Sequence, residues 1–489
     1  MNDEDAEQPP YRPSLLQNWV SLTGLVIVIG SLFSFCLLFI LDAVAHFSNP
    51  YISILTWMVT PGFLTSGLLL ALVGALRERR RRAKTTSWMS AVQIDLSRPR
   101  DRRILVSFVV GSLLFIMLSA VGSYNAFEFT ESVQFCGQTC HGVMKPELTT
   151  HDHGPHARVA CVACHVGPGV NWFVRSKLSG SYQVYAVLFN KYPRPIPTPI
   201  ENLRPARETC EQCHWPQKFS GNLDRTFNYF QSDESNSPYS IRLSIKIGGA
   251  DPSRGPVGGI HWHMVVGNQV EYIATDAARQ KIPWVRITDQ QGVVTVYHTP
   301  RFTNDVSGFE IRKMDCMDCH NRPSHRYVPP DKAVNLAMEL GQIDRTIPWV
   351  KSNAVYVLTH KYDNDNQARD GIATALAERY PHDPRIRDVI PVVQGIYTNN
   401  FFPEMKANWS VYPDNVGHLL WPGCFRCHDG AHKADDGRTI KANDCNACHT
   451  ILAQGSGAEL QQLTPGGQPF KHTGGDYDLS CSDCHTGGL

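Results

Sequence analysis

The sequence predicts a membrane-anchored protein in which three N-terminal transmembrane helices precede a loop-rich, mainly α domain with a small antiparallel β insertion. Uncharged apolar runs occupy residues 19–41, 51–76 and 104–127, and each exceeds the roughly 20 residues that a helix needs to cross a bilayer. All the paired cysteines lie after the third run. Two long stretches between those pairs carry first alternating and then helical apolar patterns.

Composition narrows the class of protein. The chain has 489 residues, of which 42% are hydrophobic and 19% charged, with a formal net charge of +1. This apolar content excludes a disordered chain. A net charge close to zero gives the protein no overall positive potential that would indicate nucleic-acid binding.

The segment between the second and third apolar runs, residues 77–103, sets the topology. It carries ten basic residues, namely Arg77, Arg79, Arg80, Arg81, Arg82, Lys84, Arg98, Arg100, Arg102 and Arg103. The positive-inside rule makes this loop cytoplasmic. Residues 1–18 then form a cytoplasmic tail, residues 19–127 the anchor, and the rest lies outside. The weaker alternatives are that the apolar runs are buried helices of a soluble protein, that the first run is a cleaved signal peptide, and that the basic segment binds nucleic acid.

Fourteen of the fifteen cysteines form pairs that a histidine follows. Six pairs are strict C-x-x-C-H motifs: Cys161/Cys164/His165, Cys210/Cys213/His214, Cys316/Cys319/His320, Cys424/Cys427/His428, Cys445/Cys448/His449 and Cys481/Cys484/His485. The first motif, Cys136/Cys140/His141, has three residues between its cysteines. We number the motifs one to seven in chain order.

This pattern is typical of covalent haem attachment. Two thiols add to the vinyl groups of one haem, and the adjacent histidine coordinates the iron. A zinc site also uses C-x-x-C pairs, but it leaves the following histidine unexplained. The sequence therefore predicts a multihaem cytochrome c with seven haem c groups on the extracytoplasmic side, where attachment normally occurs.

The motifs divide the outer part of the chain into segments. Residues 128–216 hold haems one to three, and residues 217–315 form the β-rich insertion, with HWHMVV at 261–266 as one strand and hairpins near 267–268 and 291–292. Residues 316–423 hold haem four and a helical insertion. The last three haems belong to residues 424–489.

The segments FCGQTCHGVMKPE, HARVACVACHVGPG, YPRPIPTP and LRPARETCEQCHWP, which follow a membrane anchor, carry a family resemblance. They resemble the NapC/NirT/NrfH group of membrane-anchored multihaem quinol dehydrogenases over roughly residues 123–216. The resemblance implies quinol oxidation at the outer face of the cytoplasmic membrane. This chain departs from the group in having three anchor helices, seven motifs and an extra residue in the first motif.

Seven irons need up to seven distal ligands. The candidates are histidines near the motifs and in HWHM, namely His156, His261, His263, His325, His418, His432 and His472. HWHM is interpreted as part of a strand, in which its two histidines point the same way. In cytochromes similar to this one, the spacing of His156 before Cys161 gives a ligand to a neighbouring haem. Met144 is a candidate ligand for haem one, and a methionine packed in the apolar core is an equally good interpretation of this residue.

The resemblance also indicates a quinol site. Lys177 resembles the lysine associated with the quinol pocket in the family, while an interfacial lysine that holds lipid headgroups is the alternative. His46, Glu128 and Glu131 are further candidates by predicted depth. A quinol, menaquinol or another, would be oxidised near haem one.

The predicted partners are the membrane quinol pool, the lipid bilayer and a redox acceptor, which could be a periplasmic cytochrome, a reductase or a complex subunit. A terminal reductase with an open haem, or an electron-transfer subunit of a larger respiratory complex, are the alternative functions.

Overall fold

A computed structural model describes most of the chain in two compact units. The described residues are 15–45, 60–84, 96–139, 141–167, 169–200, 203–248, 258–264, 268–303, 305–440, 445–473 and 475. Unit one comprises Met1–Ser132 and Val166–Leu178, and unit two comprises Val133–His165 and Ser179–Leu489.

Unit one is built from long apolar helices. They are α1 (Trp19–Ala45), α2 (Thr60–Lys84) and α3 (Pro99–Glu131). Helices α1 and α2 pack along a line of small residues, since a Cβ on Gly24 would lie 2.4 Å from the Ala71 nitrogen. The Ser21 hydroxyl donates to the Ala71 carbonyl at 3.1 Å. Small residues of this kind let helix backbones approach closely in lipid.

Two helices of the described part are long and apolar enough to cross a membrane, over Trp19–Cys36 and Thr60–Arg81. The third predicted span, residues 104–127, lies inside α3, and its passage through the membrane stays a prediction. The beginning of the second predicted span, residues 51–59, lies outside the described residues.

The haem-motif segments of unit two consist of loops and short helices. A π-helical turn (Gln134–Thr139) leads into α4 (His141–Asp152), and α5 (Cys161–His165) follows. Helix α6 (Val170–Leu188) belongs to both units. Helices α7 (Ala206–Cys210) and α8 (Cys316–Cys319) carry the third and fourth motifs.

The helical insertion supplies the largest apolar core. It contains four helices, namely α9 (Pro330–Glu339), α10 (Val350–Thr359), α11 (Asp365–Arg379) and α12 (Ile386–Asn400). Their inward side chains are fully buried, among them Val334, Val350, Leu358, Ile372 and Val393. Prolines stand at or near the predicted boundaries because they cannot continue a helix.

Two antiparallel sheets replace the single predicted one. The first has the order β1 (Leu223–Phe230), β2 (Pro238–Ile245), β7 (His449–Gly455). Its third strand directly follows the short helix α13 (Cys445–Cys448) of motif six. The second has the order β5 (Val294–His298), β4 (Trp284–Thr288), β3 (Gln269–Ile273), β6 (Arg312–Lys313).

One predicted strand is wrong. The predicted hairpin at 291–292 joins β4 to β5, but Ile260–Met264 is a 3-10 turn, which we call the HWH turn. The hairpin predicted at 267–268 falls on residues 265–267, which lie outside the described residues. Strand β3 pairs instead with β4 and β6.

Candidate functional site

Motif four places its two cysteines on one short helical turn. In motif four the Asp315 carboxylate accepts from the Met317 amide at 2.8 Å, and the Asp318 carboxylate accepts from the Asp315 amide at 2.7 Å. This capping box begins helix α8 at Cys316. Residues three apart lie on one face of a helix, so Cys316 and Cys319 point the same way.

Thiols of successive motifs contact each other at two places. The thiol of Cys136 hydrogen-bonds that of Cys161, and the thiol of Cys210 hydrogen-bonds that of Cys316. Burial, with the nearby thiols of Cys213, Cys424 and Cys448 added, raises the pKa of Cys164, Cys319 and Cys424 respectively. The two thiol–thiol contacts bring motif one to motif two and motif three to motif four.

Five motif histidines face a second histidine, and we call these the facing pairs. Their ring centroids lie 6.0–6.4 Å apart. The pairs are His165 with His325, His214 with His156, His320 with His261, His428 with His263, and His449 with His418.

This spacing fits an iron between two imidazoles. Two metal–nitrogen bonds of about 2 Å, each extended by roughly 1.1 Å from nitrogen to ring centre, put the ring centres about 6.2 Å apart. Direct stacking or hydrogen bonding would bring the rings closer. Among the described residues, no group of three or more side chains is placed to hold a bare metal ion, so the motifs fit haem better than zinc.

Hydrogen bonds fix the tautomer of four facing histidines. The Nδ1 atoms of His156 and His325 bond the carbonyls of Pro323 and Glu147 at 3.0 and 2.9 Å. Those of His261 and His263 bond the carbonyls of Ile247 and Ile260 at 3.1 and 2.9 Å. A carbonyl can only accept, so each Nδ1 carries the proton. The Nε2 lone pair is then left to bind a metal.

Burial also favours the ligating form of these side chains. Desolvation lowers the pKa of six of the facing imidazoles below the ordinary histidine value, namely His165, His261, His263, His320, His325 and His449. A lowered pKa keeps the imidazole neutral near neutral pH. Neutral imidazole is the form that binds metals.

His432 is a predicted ligand that the geometry does not support. Its side chain is fully buried, Nδ1 contacts the Asp429 carboxylate at 2.8 Å, and Nε2 contacts the Ile282 carbonyl at 2.8 Å. Both nitrogens are engaged, so the residue ties the segment after motif five to the second sheet. His151 also lies 6.2 Å from His325, but its Nε2 bonds the Val159 carbonyl at 2.9 Å.

Two further predicted ligands are Met144 and His472. Met144 is half-buried in α4, while Cys140 and the side chain of His141 lie outside the described residues. His472 meets the ring of Phe470 edge-on at 5.9 Å. Motif seven, with Cys481, Cys484 and His485, also lies outside them, as do the side chain of Cys445 and all of His46.

A buried polar network that the sequence did not indicate locks motif four to motif five. Asp318, inside motif four, accepts from the Tyr272 hydroxyl and pairs with Arg279 at 3.2 Å. Arg426, inside motif five, donates to the Asp318 carbonyl at 2.6 Å. Burial, with the Asp318 charge added, raises the pKa of Tyr272, so this hydroxyl stays a donor.

A second network that the sequence did not indicate holds His325, which faces His165 of motif two. The Glu147 carboxylate lies 3.2 Å from His325 Nδ1, 3.7 Å from Arg322 and 3.1 Å from the Tyr327 hydroxyl. The Arg322 guanidinium lies over the rings of Tyr327 and Tyr412. Groups of this kind orient a metal-binding histidine from behind.

The predicted quinol residues meet within unit one. The Lys177 ammonium forms an ion pair with Glu131, the last residue of α3, and lies 4.9 Å from the centre of the buried Phe173 ring. The Glu131 side chain is 11% exposed and that of Lys177 37%. Glu128 instead accepts from the Tyr124 hydroxyl at 2.9 Å. An acid, a base and an aromatic ring thus converge at the C-terminal end of α3.

Comparison with known proteins defines the class. Residues 98–195 match the family described as NapC/NirT cytochrome c family, N-terminal region. The chain is also 40% identical over 491 residues to the cytochrome c-type protein ImcH of Geobacter sulfurreducens, with 96% of this chain and 95% of that protein covered. No solved structure matches.

The chain therefore belongs to the NapC/NirT cytochrome c family, whose members are membrane-anchored electron-transport proteins with covalently bound haem c. This confirms the resemblance that the sequence carries. The class accounts for the apolar helices of unit one and for the cysteine–histidine motifs of unit two.

Proposed function

We propose that this protein is a seven-haem cytochrome that oxidises membrane quinol and passes electrons to a periplasmic or membrane-bound acceptor. The observation that carries the proposal is the row of five facing pairs, one at each of the successive motifs two to six, with ring centroids 6.0–6.4 Å apart. Bound haem c supplies a one-electron iron couple, so such a row carries electrons singly.

Seven haems follow from seven motifs. The fourteen motif cysteines would form the thioethers, and His141, His165, His214, His320, His428, His449 and His485 would be the proximal ligands. Met144 and His472 are the proposed distal ligands for haems one and seven. For the haems of motifs two to six, the facing pairs support two histidine ligands each.

Quinol oxidation is assigned to Lys177 and Glu131. One quinol gives up two electrons, which enter the haem row, and two protons, which need acceptors. The Glu131 carboxylate can take a proton from a quinol hydroxyl, and Lys177 can donate a hydrogen bond to a quinol oxygen. Cys136 follows Glu131 by five residues, which limits their separation to about 18 Å even in an extended chain.

The exposed apolar side chains of helix α6 support a position of this helix, and of Lys177 on it, at the lipid surface. Leu178, Tyr182 and Leu188 are 69%, 65% and 75% exposed. Exposed apolar side chains of this size are unfavourable in water and fit a lipid environment. Lys177 stands on the same helix. With the loop of residues 77–103 in the cytoplasm, the haem segments would face the periplasm.

The facing pairs also bear on the alternative function. A terminal reductase needs an iron with an open position for its substrate, and two histidines close both axial positions. Five such pairs favour electron transfer. Carbon monoxide binding to the reduced protein tests this, because carbon monoxide requires an open iron. Stoichiometric binding at one haem or more would favour the reductase.

The proposed quinol activity is tested with purified protein mixed anaerobically with a soluble menaquinol analogue. We expect the haem absorbance to change to that of the reduced form. Dithionite serves as the control reductant because it needs no quinol site. Protein that dithionite reduces and the quinol analogue does not would refute quinol oxidation and favour the electron-transfer subunit of a larger complex.

A further inference from the structure

The HWH turn faces two motifs at once. His261 lies 6.4 Å from His320 of motif four, and His263 lies 6.0 Å from His428 of motif five. The two histidines are separated by one residue, Trp262, whose ring packs edge-on against His263 at 5.8 Å. Two neighbouring haem sites thus meet a single five-residue segment.

The backbone around the turn is fixed by the end of strand β2. The Ile260 and His261 amides donate to the carbonyls of Lys246 and Ile247 at 2.9 and 3.2 Å. Gly259 has φ +77°, and a Cβ on it would lie 2.4 Å from the Lys246 carbonyl oxygen. Glycine is therefore required where the chain enters the turn.

The side chains of the turn are fixed as well. The Nδ1 atoms of His261 and His263 both bond backbone carbonyls, so each Nδ1 carries the proton and the Nε2 lone pair is left for a metal. The ring of His261 also packs against Phe219 at 4.5 Å.

We propose that the HWH turn provides the distal ligands of two irons, with His261 completing haem four and His263 completing haem five. The proposal rests on the proposed haem attachment at motifs four and five. The Cα atoms of residues two apart are at most about 7 Å apart. One short segment therefore fixes the spacing of these two haems and makes them a rigid pair within the row.

The two sites differ in a measurable way. The planes of His261 and His320 are nearly parallel, at 8°, whereas those of His263 and His428 are nearly perpendicular, at 87°. Parallel imidazole planes split the two iron orbitals that overlap with the axial ligands, dxz and dyz, and give a rhombic low-spin electron paramagnetic resonance spectrum. Perpendicular imidazoles leave them nearly degenerate and give a highly anisotropic one. Among the facing pairs, only His156 with His214, at 83°, shares the perpendicular arrangement.

Single ligand replacements test the assignment. We expect His263→Met to remove about half of the highly anisotropic signal, because one of its two predicted sources changes ligand. His261→Met should instead reduce the rhombic signal and leave the anisotropic one intact. Each variant should raise the reduction potential of one haem, since a methionine ligand favours the ferrous state. His360→Met, at an exposed histidine of the helical insertion, is the matched control and should change neither.

The shared segment has its own test. Gly259→Ala alters no ligand but forces the turn away from Lys246, so both signals should change together while those of the other haems stay. A pyridine haemochrome count on every variant separates two failures. Unchanged spectra in both histidine variants with the full haem content retained would overturn the HWH assignment and leave the proposed function standing. Wild-type protein without covalent haem at these motifs would overturn both.

Discussion

Replacing Lys177 by alanine tests how the quinol site works. Lys177 is positioned by Glu131 and by the Phe173 ring. A hydrogen bond to a charged group contributes about 1.5–3 kcal/mol, which corresponds to roughly ten- to a hundredfold in rate if it acts in the transition state. Because the Lys177 side chain is 37% exposed, solvent screening favours the lower end. We expect Lys177→Ala to slow reduction by a quinol analogue about tenfold.

The assay is anaerobic stopped-flow mixing with the quinol analogue, followed at the haem absorbance. Reduction by dithionite should be unchanged, which excludes lost haem or misfolding. Lys145→Ala is the matched control, because Lys145 also forms an ion pair, with Asp365 in unit two. Equal quinol kinetics in wild type and the Lys177 variant would refute the reasoning and make Lys177 an interfacial lysine.

The partner of Lys177 allows a double-mutant cycle. If Glu131 accepts the quinol proton while Lys177 binds the quinol oxygen, Glu131→Gln should slow the reaction by itself. The two changes combined should cost less than the product of the single effects, since the residues are in contact. Strictly multiplicative effects would mean that the two side chains act at separate places.

Three further predictions concern the haem count, stability and topology. A pyridine haemochrome assay should give seven haems per chain, and a value near six would remove Cys136 and Cys140 from the attachment sites. Asp318→Ala should lower the free energy of unfolding by about 2–4 kcal/mol, because it leaves the buried Tyr272 hydroxyl without its acceptor and breaks the pair with Arg279. Thermal unfolding measures the loss, and Asp436→Ala at an exposed ion pair is the control. An equal loss in both variants would contradict the prediction. Reporter fusions in residues 77–103 should be active only when the reporter works in the cytoplasm, and activity of a periplasmic reporter there would invert the topology.

Local patterns predicted the parts of the fold that local interactions determine. The four helices of the insertion follow from apolar periodicity and proline boundaries. The β4–β5 hairpin follows from alternation around Gly292, which adopts φ +80°. The histidines His156, His325 and His418 were found as ligand candidates because they stand near motifs, but their partners belong to distant parts of the chain.

Long-range contacts account for the errors. His-Trp-His-Met alternates like a strand, yet it lies in a 3-10 turn, where the Ile260 and His261 amides donate to the carbonyls of Lys246 and Ile247. Strand β7 pairs with β2, from which it is separated by about 200 residues. His432 flanks motif five as a ligand would, but the Ile282 carbonyl occupies its Nε2. These structures depend on contacts between residues that are distant in the sequence, and the spacing of residues along the chain does not indicate such contacts.

A stoichiometric titration with quinol tests the central claim most directly. Oxidised protein of known haem content is mixed anaerobically with limiting amounts of the quinol analogue, and the reduced haem is counted after each addition. Each quinol gives two electrons, so we expect about two haems reduced per quinol and reduction of several haems in each protein. Reduction that stops at one haem per chain, or none while dithionite reduces all of them, would contradict a connected haem row that is supplied by quinol.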